Sequence, residues 1–367
     1  MKQNETYQIP LLPLPYDLET KAVLKQLAQS HRRLAELKGL ARTMPNERIL
    51  VSTLTLQEAK ESSEVENIIT TQNDVFSADI QEKDNIKNPA VKEVLNYYDA
   101  LSTGYLLVKR TNLLTNNIIK QVQEKLEDNH AGFRSMPVYL KRTDGVTIYT
   151  PPQGLESIER AMANLEAFIN DTTISDMDPL IKMAIIHHQF ESIHPFYDGN
   201  GRTGRIVNIL YLVAMELLDY PILYLSRYIT QHKGEYYRLL QDVRNGEGNN
   251  FAEWEQWVLF MLRGVEETAS TSIVLVKEIN QLMSQFKQIM RSSLGKLYSH
   301  DLLNIIFSHP YTKVNFLERN LMITNKTAGR YLDKIAELSL LKKEKIGREN
   351  YYINTRLMDV LAHVDEK

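Results

Sequence analysis

The 367-residue chain contains no cysteine. That absence excludes disulfides, a thiolate nucleophile, Cys-ligated zinc and iron–sulfur clusters. Strong charge of one sign is missing too: the formal net charge is -3, so nothing global draws the chain to nucleic acid or a membrane surface. No apolar run reaches the ~20 residues that a membrane span needs. The start, "MKQNETYQIPLLPLPYD", is polar and Pro-punctuated, unlike a charged-then-apolar leader. A cytoplasmic protein with no membrane partner is expected. There are 9 histidines, but His187, His188 and His194 follow no usual ligand spacing and no H-E-x-x-H occurs, so a histidine-built metal centre is not expected. What is present is ordinary for a folded protein, 43% apolar and 24% charged residues. The length allows two or three domains of ~100–200 residues each.

Most of the sequence reads as helix. Residues 19–42 repeat apolar side chains every three or four positions. Similar patterns follow at about 54–70, 89–108 and 113–127, then at about 155–170, 178–193, 200–218 and 232–244, with a further pair at about 250–290. One stretch reads as extended. "PVYLKRTDGVTIYTPP" alternates on both sides of Asp144-Gly145, a hairpin signal, and Pro151-Pro152 ends it. From Lys296 the tail reads as three short helices and two strands around Gly347, the pattern of a winged helix-turn-helix. It carries 12 Lys/Arg against 9 Asp/Glu, a balance of +3 that leaves -6 for the rest.

The chemistry concentrates in "HPFYDGNGRTGR", His194 to Arg205. Gly199, Asn200 and Gly201 permit a backbone whose N–H groups turn inward as an anion nest. The following run is a good helix, so its free N–H groups and positive dipole end face the same spot. Arg202 and Arg205, three apart, lie on one face of its first turns. Two guanidiniums over a nest make a polyphosphate site. Asp198 suits a single carboxylate ligand for Mg²⁺, with phosphates and waters completing the shell. His194, ending the preceding helix, suits a general base for an attacking hydroxyl. Phe196 is the apolar pin that seats the loop, while His187 and His188 read as core or hydrogen-bonding residues.

This string resembles the signature of the Fic domain family, H-P-F-x-[D/E]-G-N-G-R-x-x-R, at every specified position. "VTIYTPP" and "GEYYRLL" sit where such proteins have a flap hairpin and a Tyr pair. The resemblance implies a mostly α fold: a Fic-type helical core with a β-hairpin flap, plus the C-terminal winged helix-turn-helix domain. It implies transfer of AMP from ATP to a Ser, Thr or Tyr hydroxyl of a target protein, with Mg²⁺ or Mn²⁺. By the same resemblance His194 is the catalytic base and Asp198 the metal ligand. Gly199, Asn200, Gly201, Arg202, Thr203, Gly204 and Arg205 bind ATP, Arg202 at the β- and Arg205 at the γ-phosphate. Tyr236 and Tyr237 are the candidates for the adenine end. Family members that transfer phosphate instead depart from the pattern around Gly201, and this sequence does not.

Upstream, "ESSEVENI" is similar to the inhibitory helix pattern [S/T]-x-x-x-E-[G/N] of such proteins, through Ser62, Glu66 and Asn67. A Glu66 carboxylate on Arg205 would occupy the guanidinium that the γ-phosphate needs. The organisation expected is an N-terminal helical region with the inhibitory helix over 1–90, the Fic core over 91–290 and the winged-helix domain over 296–367. The hairpin at about 137–150 offers an edge to an extended target segment. In the tail, Thr324–Leu338 is the candidate recognition helix, with Lys326, Arg330 and Lys334 outward and Lys342, Lys343, Lys345 and Arg348 on the wing. DNA and protein contacts both stay open for it. The chain itself as a target, and a homodimer, are further expected partners. Two alternatives stand beside AMP transfer: a DNA-binding regulator whose core senses nucleotide, and an enzyme in which Glu66 positions water to remove AMP.

Overall fold

The polar residues ahead of the apolar runs decide where helices begin. Thr20, Thr71, Asn88, Thr115, Asp178, Ser299 and Thr324 each accept a hydrogen bond from a backbone N–H of the first turn. The structure, a computed structural model, describes residues 8–81, 86–142, 144–245, 250–346 and 349–362. The chain opens with α1 (Lys21–Ala41), α2 (Arg48–Val65), α3 (Gln72–Asp79), α4 (Pro89–Thr111) and α5 (Asn116–Glu127). A short hairpin, β1 (Leu140–Lys141) and β2 (Thr147–Tyr149), follows. Next come α6 (Leu155–Asn170), α7 (Pro179–Ile193), α8 (Asn200–Ala214), α9 (Ser226–Gln231), α10 (Lys233–Asn245) and α11 (Phe251–Leu294). The tail holds α12 (His300–Ser308), β3 (Tyr311–Lys313), α13 (Val314–Leu321), α14 (Asn325–Glu337), β4 (Lys342–Ile346), β5 (Glu349–Ile353) and α15 (Thr355–Ala362).

At the centre α7 packs on α8, and both are buried on nearly every side. Around them sit α4, α5, α6, α10 and α11, with α1 laid along α11 through Ser30 Oγ donating to Leu262 O at 2.8 Å. The expected pair of helices at about 250–290 is instead one 44-residue helix, α11, because its apolar face continues without a breaker from Trp254 to Leu294. Its far end reaches the tail, where Phe286 meets Phe307 edge-on at 5.1 Å.

Helix α2 differs most from its sequence reading. It spans 48–65, not about 54–70, and 14 of its 18 residues are buried. A helix covered all round shows no amphipathic stripe, so its phase and start are hidden in the pattern. It packs on the tail through two side chains: Ser52 Oγ donates to Ser308 O at 2.8 Å and Gln57 Nε2 to Leu361 O at 2.8 Å. Its middle is anchored by Glu58, which accepts from Tyr97 Oη at 2.8 Å and Ser226 N at 3.1 Å. Its last turn points at α8.

The hairpin is shorter than the 137–150 expected. Arg142 N donates to Val146 O at 2.9 Å across the turn, and a register shift falls at Leu140/Lys141. Buried Tyr149 ties the hairpin to α7 by donating to Ser192 O at 2.7 Å. In the tail, β3, β5 and β4 form an antiparallel sheet in that order, with Tyr311 and Lys342 both opposite Ile353. The strand β3 and the helices α3, α9 and α15, each eight residues or fewer, were not anticipated. Lys326, Arg330, Lys334, Lys342, Lys343 and Lys345 are exposed as expected, while Gly347 and Arg348 lie outside the described residues.

Candidate active site

Helix α7 stops at His194, whose backbone is left-handed (φ 50°) while its N–H still donates to Phe190 O at 2.9 Å. That conformation turns the chain, and the imidazole with it, out of the helix. The turn is fastened from below by Arg134, a fully buried cation whose Nε donates to His194 O at 2.7 Å and Nη2 to Pro152 O at 2.7 Å. The loop and the base of the hairpin therefore share one clamp. Phe196 is buried between Phe133 and Phe190, with ring centroids 5.4 and 6.3 Å away. Asn200 closes the loop: its side chain accepts from Phe196 N at 2.8 Å and donates to Phe196 O at 2.9 Å. Both ends of the Asn200 amide are thus used inside the loop, which leaves its backbone as its contribution to an anion site.

Gly199 takes φ +72°, a left-handed value that costs glycine least, and α8 begins directly after it. Arg202 and Arg205 emerge from the first two turns and are both almost fully buried. Arg205 Nε donates to Ser62 Oγ at 2.7 Å, and its Nη2 donates to Ser62 O and Glu66 Oε1, each at 2.9 Å. The expected contact between the two motifs is therefore formed. Burial is the largest single effect and works to raise the Glu66 carboxyl; the charge of Arg205 and its hydrogen bond, with the charges of Arg202 and Lys233, together outweigh it and leave Glu66 below the usual carboxylate range. A Cβ at Gly201 would lie 2.3 Å from Glu66 Oε1, so only glycine lets that carboxylate reach the nest.

Arg202 is engaged as well, by residues for which the sequence offered no signal. Its Nη1 donates to Glu93 Oε2 on α4 and its Nη2 to Glu127 Oε1 at the end of α5, each at 2.9 Å. Asp198 is exposed beside them, with one carboxylate oxygen accepting from Gly199 N at 2.7 Å.

Burial lowers the His194 imidazole to about 4, with Arg244 and Arg134 adding to the effect and Glu66 opposing it. His194 is therefore neutral near pH 7, and its buried Nδ1 has no hydrogen-bond partner among the described residues. Behind α8, His187 Nε2 lies 2.9 Å from Tyr236 Oη and its Nδ1 3.0 Å from Asn208 Nδ2. Burial pushes His187 down to about 3, with Arg205 contributing. Glu191, also buried, is pushed up to about 7 by burial, against the pull of Arg205. Three expected site residues sit away from the cradle. Tyr236 is buried against His187, Trp257 and Phe260, so no face of it is open to a base. Thr203 is fully buried, and Gly204 lies against Phe190 and Glu191 of α7. The phase of α8 turns both from the face that carries Arg202 and Arg205. Tyr237 remains half-exposed.

Three family models match the chain: Fic/DOC family N-terminal over residues 24–106, Fic/DOC family over 113–212, and the C-terminal domain of protein adenylyltransferase SoFic-like over 282–357. Among curated proteins it is similar to protein adenylyltransferase fic-1 of Caenorhabditis briggsae, 28% identical over 37% of this chain and 26% of that protein. It is also similar to protein adenylyltransferase Fic of Drosophila erecta, 31% identical over 28% of this chain and 20% of that protein. The chain thus matches about a quarter or less of the length of these relatives. Among solved structures, a Fic family protein from Desulfovibrio desulfuricans G20 shares the fold, with a TM-score of 0.58 at 20% identity over 92% of this chain and 97% of that one. Fic-1 from C. elegans does so at a TM-score of 0.54 and 20% identity, over 70% of this chain and 73% of that one. With the signature loop, the helices that hold it and matching models for its N-terminal, central and C-terminal parts, the chain belongs to the Fic/DOC family.

Proposed function

We propose that the chain is a protein adenylyltransferase restrained by its own N-terminal helix. It moves AMP from ATP to a Ser, Thr or Tyr hydroxyl of a target protein, itself included. The observation that carries this reading is the Glu66–Arg205 ion pair at 2.9 Å, formed between residues 139 apart in sequence, at a helix N-terminus built to receive anions. The relatives' names point the same way. Neutral His194 takes the hydroxyl proton as the oxygen bonds to the α-phosphorus, and the bond to the β-phosphate oxygen breaks to release pyrophosphate. The N–H groups at the start of α8 receive the phosphates, with Arg202 at the β- and Arg205 at the γ-phosphate. Tyr237, half-exposed, is the remaining Tyr for the adenine end.

Asp198 fits a divalent cation, because it is an exposed carboxylate at the rim of the nest. No group of three or more His, Asp or Glu that could hold a metal occurs among the described residues, so Mg²⁺ or Mn²⁺ would be held jointly with the nucleotide. When bound, the ion offsets phosphate charge. The first proposed unit, 1–90, carries the restraint, 91–290 carries the chemistry, and 296–367 is a winged helix-turn-helix module. No helix among the described residues is long and apolar enough to cross a membrane. We take the cytoplasm as the compartment, which a cysteine-free chain suits.

The test is labelled ATP with the wild type and the Glu66→Gly variant, offered lysate proteins or the chain alone. The variant should transfer label up to ~10²-fold faster, since a misplaced reacting group costs about that much. Arg205→Ala in the same background should remove the gain. No labelling by either protein on any acceptor would reject the reading.

A second reading, nucleic-acid binding by the tail, is favoured by one observation. Lys326, Arg330 and Lys334 are exposed at i, i+4 and i+8 on α14. Full-length protein should then bind a duplex DNA probe with an affinity that falls steeply with salt. Absence of binding at low salt would leave the tail as a protein-contact module.

A further inference from the structure

The two glycines that flank the nest are each pressed by a carboxylate. A Cβ built at Gly201 would meet Glu66 Oε1 at 2.3 Å, and one built at Gly199 would meet Glu127 Oε1 at 2.2 Å. The same two oxygens accept from the two arginines, Glu66 Oε1 from Arg205 and Glu127 Oε1 from Arg202, each at 2.9 Å. The cradle therefore has a carboxylate at both ends. One belongs to the motif of α2, and the other belongs to α5 and to no motif.

We infer that Glu127 is a second resting occupant of the phosphate cradle, holding Arg202 and the Gly199 end of the nest until a nucleotide phosphate displaces it. This rests on reading the loop 199–205 as a nucleotide phosphate site. A carboxylate oxygen and a phosphate oxygen present the same acceptor chemistry to a guanidinium, so they compete for Arg202. The position of Glu127 is also poor for a carboxylate. It is the last residue of α5, where unsatisfied carbonyls give the helix end a partial negative charge. Burial, chiefly, holds its carboxyl above the ordinary value; Arg202 opposes that and favours the charged form, while the charges of Asp198 and Glu93 add to the rise. Glu93 is the weaker partner of Arg202, since its side chain is 42% exposed against 13% for Glu127. An incoming phosphate adds negative charge to this cluster, and the inward-facing Glu127 is the group that gives way.

The readout is equilibrium binding of inorganic tripolyphosphate, and separately of ATP, to the full chain without added metal, by calorimetry. In the Glu66→Gly background, Glu127→Gln should tighten tripolyphosphate binding about 10-fold, of the order set by one charge-assisted contact. With ATP as substrate it should lower KM more than it changes kcat. Adding Arg202→Ala should abolish the gain, because the competition is for that guanidinium. Glu127→Asp, which shortens the reach by one methylene, should give part of the gain and covers the case in which Glu127→Gln fails to fold. Unchanged or weaker tripolyphosphate binding in both Glu127 variants would overturn the inference and leave Glu127 as a structural partner of Arg202. If the Glu66→Gly chain itself binds neither tripolyphosphate nor ATP, it is the nucleotide reading of the loop that fails.

Discussion

Arg202 and Arg205 stand one turn apart on the same helix, are equally buried, and are held in different ways. Arg205 donates three hydrogen bonds to the last turn of α2 and its cap Glu66, one of them to the main-chain carbonyl of Ser62. Arg202 is gripped by two carboxylate side chains from α4 and α5. Freeing Arg205 fully requires the last turn of α2 to move, because a backbone carbonyl cannot swing away by itself. Freeing Arg202 requires only side-chain rotations. The first restraint is therefore mechanical and belongs to a helix that also packs on the tail through Ser52 and Gln57. The second is electrostatic and local to the core. Sequence position alone would make the two arginines equivalent; their surroundings give each a separate threshold.

Removing the His194 imidazole separates the group proposed to serve the hydroxyl from those proposed to serve the phosphates. In the Glu66→Gly background, His194→Ala should slow transfer by ~10²–10⁴-fold, as loss of a general base typically does. ATP affinity, measured by titration, should stay within a factor of a few, because in the proposed mechanism His194 serves the acceptor and the arginines serve the phosphates. A parallel loss of affinity would move His194 into the cradle. The pH profile carries the same distinction. His194 accepts a proton only when neutral, and burial lowers its value to about 4 from the ordinary 6.5. The kcat/KM for ATP should therefore hold as pH falls through 6.5 and decline only near the lower value. Glu66 raises the imidazole, so its removal moves the decline further toward acid. A midpoint at the ordinary histidine value would contradict the buried, neutral base.

Legibility in the sequence followed the distance over which each residue's signal acts. The loop 194–205 was readable because its chemistry is local: a turn, a helix start and two arginines on one face. Ser62 and Glu66 are readable only through a resemblance, since α2 is covered on nearly all sides and its helical pattern does not single out the face that meets Arg205. Glu93 and Glu127 were not readable. They lie 109 and 75 residues from Arg202, on helices where an acidic residue looks like any solvated one. Tyr236 and Tyr237 show the limit within a single helix. The pair is adjacent in sequence, and only the packing of α10 on α11 decides which ring faces Trp257. The brief β3 is below the length at which alternation can be seen, and the run at about 250–290 reads as a pair of helices because a 44-residue helix is far above the ordinary length.

The smallest expected effect tests whether the Arg205 restraint is the carboxylate or the helix. Ser62→Ala removes the acceptor of Arg205 Nε and leaves the Ser62 carbonyl and Glu66 in place. A hydrogen bond to a charged group contributes ~1.5–3 kcal/mol to stability when both partners are buried. Only part of that should appear in the switch, because Arg205 keeps two of its three partners. Labelled-AMP transfer by Ser62→Ala should therefore rise a few-fold at most, well short of Glu66→Gly. The double variant should be no faster than Glu66→Gly alone, since the serine restrains the γ-phosphate site only through the arginine that Glu66 occupies. A Ser62→Ala chain as active as Glu66→Gly would mean that the seating of α2, and not the Glu66 charge, closes the site. The contrast between a mechanical and an electrostatic restraint would then stand in a stronger form, with Glu127 as the carboxylate left acting by charge.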